Sequence, residues 1–347
     1  MSQAPRHYLV TGGAGFLGSL LVARLMENTL SKVTVIDDLS TGNLRNIAKF
    51  QSNPNFRFIK ADIIDTHAFD DYNLDPHIKN DTTQLIFTHI YHLACPASPP
   101  AYMKDPIHTL QTCFDGTLNI LRIAKLHGAR VLFTSTSEIY GDPLITPQKE
   151  TYWGNVNSFG PRSCYDEGKR AAESLCFNFI NQGLKIHIAR LFNSYGPNMN
   201  PDDGRVVSNM IVSALQKKPL SIYGEGKQTR SFTYGGDTVQ GLISLMESEY
   251  YLPVNIGNPG GYKTINEFAE IIWKKVNKDS PLKIQHIDAV TDDPQERKPD
   301  ISRAKTEIGW EPKVELEEGL EITIKYFADI VHPPKTEKLR PVLLKDI

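Results

Sequence analysis

Cysteine is scarce. The 347 residues include four, Cys95, Cys113, Cys164 and Cys176, none in a C-x-x-C pair and none beside a histidine cluster. That spacing offers neither a disulfide framework nor a set of metal ligands, so reduced thiols in a cytoplasmic setting and no metal site are expected. Long apolar runs are missing too: none approaches the ~18 residues of a membrane-spanning helix, and MSQAPRHYLVTGG enters an apolar strand within a few residues. No membrane partner is expected. An excess of positive charge is also lacking, since 38 Lys and Arg face 40 Asp and Glu for a formal net charge of -2. Without a basic block to neutralise phosphates, nucleic acid is set aside as a partner. There are no internal repeats.

What is present is an alternation. Short apolar runs recur at 7–11, 32–37, 56–63, 89–94, 130–136 and 185–193, with helical patterns between them. This predicts an α/β fold, a doubly wound parallel sheet of Rossmann-like type, since parallel strands need helical crossovers that cover both faces. After Asn193 the pattern changes to turn-rich stretches (PNMNPDDGR, IYGEGKQTR, TYGGD) around helices at 206–216 and 237–248. We read residues 1–195 as the nucleotide-binding domain, with a return near 237–260, residues 196–331 as a smaller C-terminal α+β substrate domain, and 332–347 as a tail. The polar stretch 73–85 reads as a surface insertion.

Two stretches carry chemistry. Thr11-Gly-Gly-Ala-Gly-Phe-Leu-Gly18 follows the first strand and opens a helix. Glycines at 12, 15 and 18 permit a tight turn, a close approach to a pyrophosphate, and close packing of helix on sheet. The helix N-terminus adds partial positive charge. Asp37 ends the second strand 19 residues after Gly18, where an acid meets the ribose hydroxyls of a dinucleotide. An acid at this point favours NAD over NADP, whose extra phosphate would meet like charge. Gly12, Gly15, Phe16, Leu17, Gly18 and Asp37 are therefore assigned to NAD, with Asp62 and Ile63 at the end of the third strand as adenine contacts.

The second stretch is split. Thr136, Ser137 and Glu138 fall at the carboxyl end of a strand, where open α/β sheets bind their ligands. Tyr165 and Lys169, four apart on the next helix, share one face. A nearby ammonium favours the phenolate, and the positive nicotinamide ring of NAD+ adds to it, so Tyr165 is a candidate base. Spacing alone does not establish this, because Tyr223 and Lys227 repeat it inside a glycine turn. His92 is read as a packed strand residue and Cys164 as a filler.

Thr11 to Gly18, STSEIYG and YDEGK together resemble the extended short-chain dehydrogenase/reductase family, whose members modify nucleotide sugars. The strings HLACPASPPAYM (92–103), GPRSCYDEGKR (160–170), DDGRVVSNM (202–210) and DPQERKPDI (293–301) are similar to its UDP-glucuronate decarboxylase branch over roughly residues 7–330. The resemblance implies conversion of UDP-glucuronate to UDP-xylose through a 4-keto intermediate, with NAD regenerated in each turnover. It implies that Tyr165 takes the proton of the sugar 4-hydroxyl with help from Lys169 and Thr136. Ser137, Glu138 and Arg297 then act around C5 and the carboxylate. It further implies that Pro99 and Tyr102 line the sugar end and that Asn193, Arg205, Tyr223, Gln228 and Arg230 hold the UDP half, with Arg297 also contacting substrate. A homodimer built on the helices at 106–127 and 162–181 follows by the same resemblance. The chain departs from the pattern at Cys113, in TCFDGTLN, and in the extra glycines of Tyr234-Gly-Gly-Asp237.

Other readings stay open at this point. A dehydratase is expected to carry an acid where Ser137 stands. A UDP-glucuronate 4-epimerase shares the oxidation step, although PASPPAYM and QERKPD are less similar to that group. A catalytically silent, NAD-bound scaffold is the reading from a different class.

Overall fold

The computed structural model describes residues 6–66, 87–289 and 291–333. The insertion expected at 73–85 and nearly all of the tail expected from 332 lie outside them. Six of the apolar runs form β1 (His7–Thr11), β2 (Lys32–Asp37), β3 (Phe56–Lys60), β4 (His89–His92), β5 (Arg130–Thr136) and β6 (Ile186–Leu191). A seventh strand, Val254–Ile256, pairs with β6, and the sheet runs Val254–Ile256, β6, β5, β4, β1, β2, β3, parallel throughout. The chain turns back between β1 and β4. Thr11 pairs with Ile36 on one side and His92 on the other, and this reversal opens a crevice at the carboxyl ends of the strands.

Each face of the sheet is covered. On one side, helix α1 (Phe16–Leu25) and the helix Gly235–Glu247 bury Leu21, Val22, Leu25, Leu242 and Leu245 against Val10, Val33 and Val35. On the other, Ile120, Leu121 and Ala124 of α4 (Thr117–His127) and Ala172 and Cys176 of α5 (Ser163–Ile180) pack on Leu9, Ile90, Val131 and Ile188. Before α4 the chain forms α2 (Pro99–Lys104) and α3 (Pro106–Gln111), each opened by proline, which has no N–H to lose at a first turn. The expected continuous helix over 106–127 is interrupted: Thr112–Gly116 widens into a π turn between α3 and α4. Such a turn accommodates one surplus residue without ending the helix.

A third core joins the helices Val206–Leu215, Ile265–Val276 and Leu316–Val331 around Phe232, Phe268 and Phe327. Small strand pairs frame it, Leu220–Tyr223 with Ile284–Ile287 and Thr229–Ser231 with Tyr262–Thr264. Residues 293–300 are stitched across both halves. Thr229 N–H donates to the Gln295 carbonyl at 2.9 Å, while Gln148 N–H donates to the Lys298 carbonyl and its side-chain oxygen accepts from Lys298 N–H, each at 2.8 Å. That pinning places Arg297 over the carboxyl end of β5.

Candidate active site

A cavity of about 1050 Å³ runs along the carboxyl ends of the strands. That volume exceeds the usual range for one small ligand and suits a dinucleotide beside a nucleotide sugar. At one end stands the glycine turn. Gly12 has φ +71°, and a Cβ there would lie 2.8 Å from the Ala94 nitrogen; a Cβ on Gly18 would lie 2.1 Å from the Gly12 carbonyl oxygen. Neither position tolerates a side chain, so bare backbone faces the cavity together with Gly15, Phe16 and Leu17. Asp37 also lines it, buried, accepting from Ala14 N–H and Leu39 N–H at 2.9 Å each; burial pushes its pKa up against those two hydrogen bonds. Asp62 and Ile63 complete this end. Asp62 accepts from His108 at 2.7 Å, and that bond raises the imidazole pKa. The glycine cradle, the strand-end acid and the apolar Ile63 fit an adenine dinucleotide. Asp38, Asp62 and His108 lie close enough to ligate a cation, but nothing besides their proximity points to one.

The middle of the cavity holds Thr136, Ser137, Glu138, Tyr165 and Lys169. β5 delivers Thr136 to the sheet end, where its hydroxyl accepts from Glu138 N–H at 3.2 Å, starting the single turn Ser137–Tyr140. Helix α5 presents Tyr165 within hydrogen-bonding reach of Thr136. Burial is the main cause raising the Tyr165 pKa well above that of a free phenol. The Lys169 Nζ donates to the Thr134 carbonyl at 2.9 Å and lies 6.0 Å from the Tyr165 ring centre. Tyr102, expected at the sugar end, is fully buried and stacks flat on Tyr165 instead of lining the cavity, while Pro99 of the same segment does line it.

Sequence reasoning missed the charges around Glu138. The buried Glu138 Oε2 accepts from Arg162 at 2.8 Å and from Arg297, a pair reached across 159 residues of chain. Burial pushes this carboxyl up, but Arg297 and Arg162 outweigh it and hold it below the usual range. Asp166, one turn beyond Arg162 with Nε to Oδ2 3.9 Å, is pushed up to about 8 by burial and by Glu138. Asp293 bridges outward, 3.4 Å from Arg162 and 2.7 Å from Arg230. Arg162 sits in the quoted string GPRSCYDEGKR, three residues before Tyr165. It was visible as a helix start and not as a ligand of Glu138.

The far end is lined by Asn193, Arg205, Tyr223, Gln228 and Arg230. Asn193 accepts from Arg297 at 3.4 Å. Tyr223 is 41 % exposed, and Gln228 donates to its carbonyl at 3.0 Å. His92, read as a packed residue, bridges the hydroxyls of Thr11 at 2.7 Å and Thr117 at 3.0 Å, and burial lowers its pKa to about 3. The Cys164 thiol faces the Tyr102 carbonyl at 3.7 Å.

Comparison with known proteins adds to this geometry. A family profile described as GDP-mannose 4,6 dehydratase matches residues 9–323. UDP-glucuronic acid decarboxylase 6 of Arabidopsis thaliana is 48 % identical over 337 residues, covering 96 % of this chain and 92 % of the relative. UDP-glucuronic acid decarboxylase 1 of Danio rerio is 49 % identical over 324 residues, 93 % of this chain and 73 % of its own length. Among solved structures, the UDP-glucuronic acid 4-epimerase of Bacillus cereus in complex with UDP-glucuronic acid and NAD superposes with a TM-score of 0.79 at 28 % identity, covering 93 % of this chain and 99 % of the other. A UDP-glucose 4-epimerase of Thermotoga maritima with UDP-glucose superposes at 0.82 and 29 % identity, over 94 % and 99 %.

Proposed function

Because the chain belongs to the GDP-mannose 4,6 dehydratase family and, within it, to the UDP-glucuronic acid decarboxylases, we propose that it removes carbon dioxide from UDP-glucuronate to leave UDP-xylose. The observation that carries this reading is the Arg297–Glu138–Arg162 cluster, which lines the same cavity as Tyr165 and the glycine cradle. NAD, held by Gly12, Gly15, Phe16, Leu17, Gly18, Asp37, Asp62 and Ile63, supplies when bound the acceptor and later the donor of the C4 hydride, together with a positive charge near the phenol.

Tyr165 holds the proton of the sugar 4-hydroxyl as that carbon becomes a ketone. Thr136 fixes the direction of the phenol, and Lys169, anchored on the Thr134 carbonyl, adds positive charge. Once C4 is a ketone, the carboxylate stands β to it and leaves as carbon dioxide, with the resulting charge delocalised onto the ketone oxygen. The protein's task there is to orient the group and stabilise that oxygen. Arg297 suits the carboxylate: its guanidinium is buried and its Nε has no hydrogen-bond partner among the described residues. Held ionised, Glu138 is poorly suited to donating a proton and well suited to accepting from a hydroxyl or a water. Ser137 lies beside it. Pro99 borders the sugar, and Asn193, Arg205, Tyr223, Gln228 and Arg230 take the UDP half, with a substrate domain at 196–331.

A homodimer is part of this proposal. Ile107, Leu110, Phe114 and Phe177 are exposed on the α3 to α5 surface, which supports pairing of those helices between two copies; light scattering tests it. No helix among the described residues is long and apolar enough to cross a membrane. The four free thiols support a cytoplasmic setting. The reaction is tested by incubating the protein with UDP-glucuronate without added NAD. UDP-xylose and carbon dioxide are expected; UDP-galacturonate would instead identify an epimerase.

A further inference from the structure

The interruption of α3 and α4 has a chemical counterpart. The π turn Thr112–Gly116 directs Cys113 inward, and its Sγ lies 3.3 Å from the Sγ of Cys95. Cys95 follows β4 and lines the cavity, whereas Cys113 is buried behind it. A disulfide needs ~2.0 Å between sulfurs, so the pair is short of a bond by about 1.3 Å, from 3.3 minus 2.0. The two thiols are not equivalent. The two sulfurs share a hydrogen bond that, with the nearby Lys169 ammonium, lowers the Cys95 pKa against its burial, while that bond and burial push Cys113 up; Cys95 also donates to the Pro96 carbonyl at 3.4 Å. A thiol on the cavity wall thus stands in front of a buried second thiol.

Both partners touch the machinery. Ala94, next to Cys95, closes over Gly12. Cys113 abuts Gly168 of α5, where a Cβ would lie 2.9 Å from the Cys113 Cβ, and Gly168 immediately precedes Lys169. We propose that Cys95 and Cys113 form a redox-active dithiol, a modification site at which a peroxide closes a disulfide between the cavity wall and the turn beneath α5 and reversibly arrests turnover.

The chemistry balances. Cys95 sulfur, losing its proton, attacks one peroxide oxygen, and the other leaves as hydroxide and takes up that proton as water. Cys113 sulfur then displaces the hydroxyl from the Cys95 sulfenic acid, and its proton leaves with that hydroxyl as a second water. Two thiols and one peroxide become one disulfide and two waters. A dithiol reductant reverses the change.

The part of the proposal that concerns turnover rests on the decarboxylase reading; the cross-link does not. The full-length protein is exposed to hydrogen peroxide, alkylated, digested and mapped by mass spectrometry, with turnover measured before and after dithiothreitol. The expected result is a peptide pair joining Cys95 to Cys113, lighter by two hydrogens than the separate peptides, with turnover lost and then restored. Cys95→Ser, which lacks the attacking sulfur, is expected to hold through the same treatment whatever turnover it has beforehand, and Cys95→Ala replaces it if the serine variant does not fold. Recovery of both cysteines alkylated after peroxide, or a cross-linked protein with unchanged turnover, overturns the proposal. If the reduced protein has no decarboxylase activity at all, the reaction assignment fails, and the peptide map still decides whether the dithiol closes.

Discussion

Tyr102 lies flat against Tyr165, with ring centres 4.9 Å apart and planes within 5° of each other. The stack gives the phenol a rigid backing and fixes the direction in which its hydroxyl points. Replacing Tyr165 by Phe keeps the stack and removes the proton carrier. Turnover is expected to fall by ~10²–10⁴ with the thermal transition unchanged. Tyr102→Leu keeps the hydroxyl and removes the backing, and kcat is expected to fall by about tenfold through lost orientation while KM moves little. Steady-state kinetics on both variants separates these effects.

Asp166 predicts a pH dependence of stability. Its folded pKa is pushed up to about 8, well above the ordinary aspartate value. Between those values the folded chain keeps a proton that the unfolded chain has released, so stability falls as pH rises through that window. Melting temperatures from pH 5 to pH 8 are expected to decline in the native protein and to be flatter in Asp166→Asn. An unchanged slope in the variant would remove Asp166 as the cause.

Glu138 separates two guanidinium groups. Glu138→Ala leaves Arg162 and Arg297 buried without their shared acceptor and is expected to cost about 3 kcal/mol in urea unfolding, as well as turnover. Arg297→Lys retains the charge and loses the planar fork. It is expected to raise KM for UDP-glucuronate and lower kcat while leaving the inhibition constant of UDP nearly unchanged.

The glycine turn supplies a test of the cofactor assignment. Gly18→Ala puts a methyl group 2.1 Å from the Gly12 carbonyl oxygen, so the turn must open. The variant is expected to purify without nicotinamide, seen as loss of cofactor from the denatured protein by chromatography, and to melt below the native protein.

The strands of the main sheet and the two chemical stretches were readable because each depends on local pattern: apolar runs for β1 to β6, glycine spacing before α1, and a four-residue step from Tyr165 to Lys169. What escaped depends on tertiary meetings. Arg162 finds Arg297 through Glu138 only when residues 293–300 are pinned across Gln148 and Thr229. The burial of Tyr102 is set by the arrival of α5, and the π turn at Thr112–Gly116 has no signature in a pattern that otherwise repeats as helix. His108 carried no motif, and its partner Asp62 is 46 residues away.

The seventh strand bears on how the chain can be divided. Val254–Ile256 returns from the region beyond residue 196 to complete hydrogen bonding along β6. A gene truncated after residue 195 would therefore encode a sheet with a raw edge, and such edges recruit other chains into aggregates. Expressing the nucleotide half by itself calls for a fusion that brings the 235–256 helix and strand back, rather than a simple stop codon.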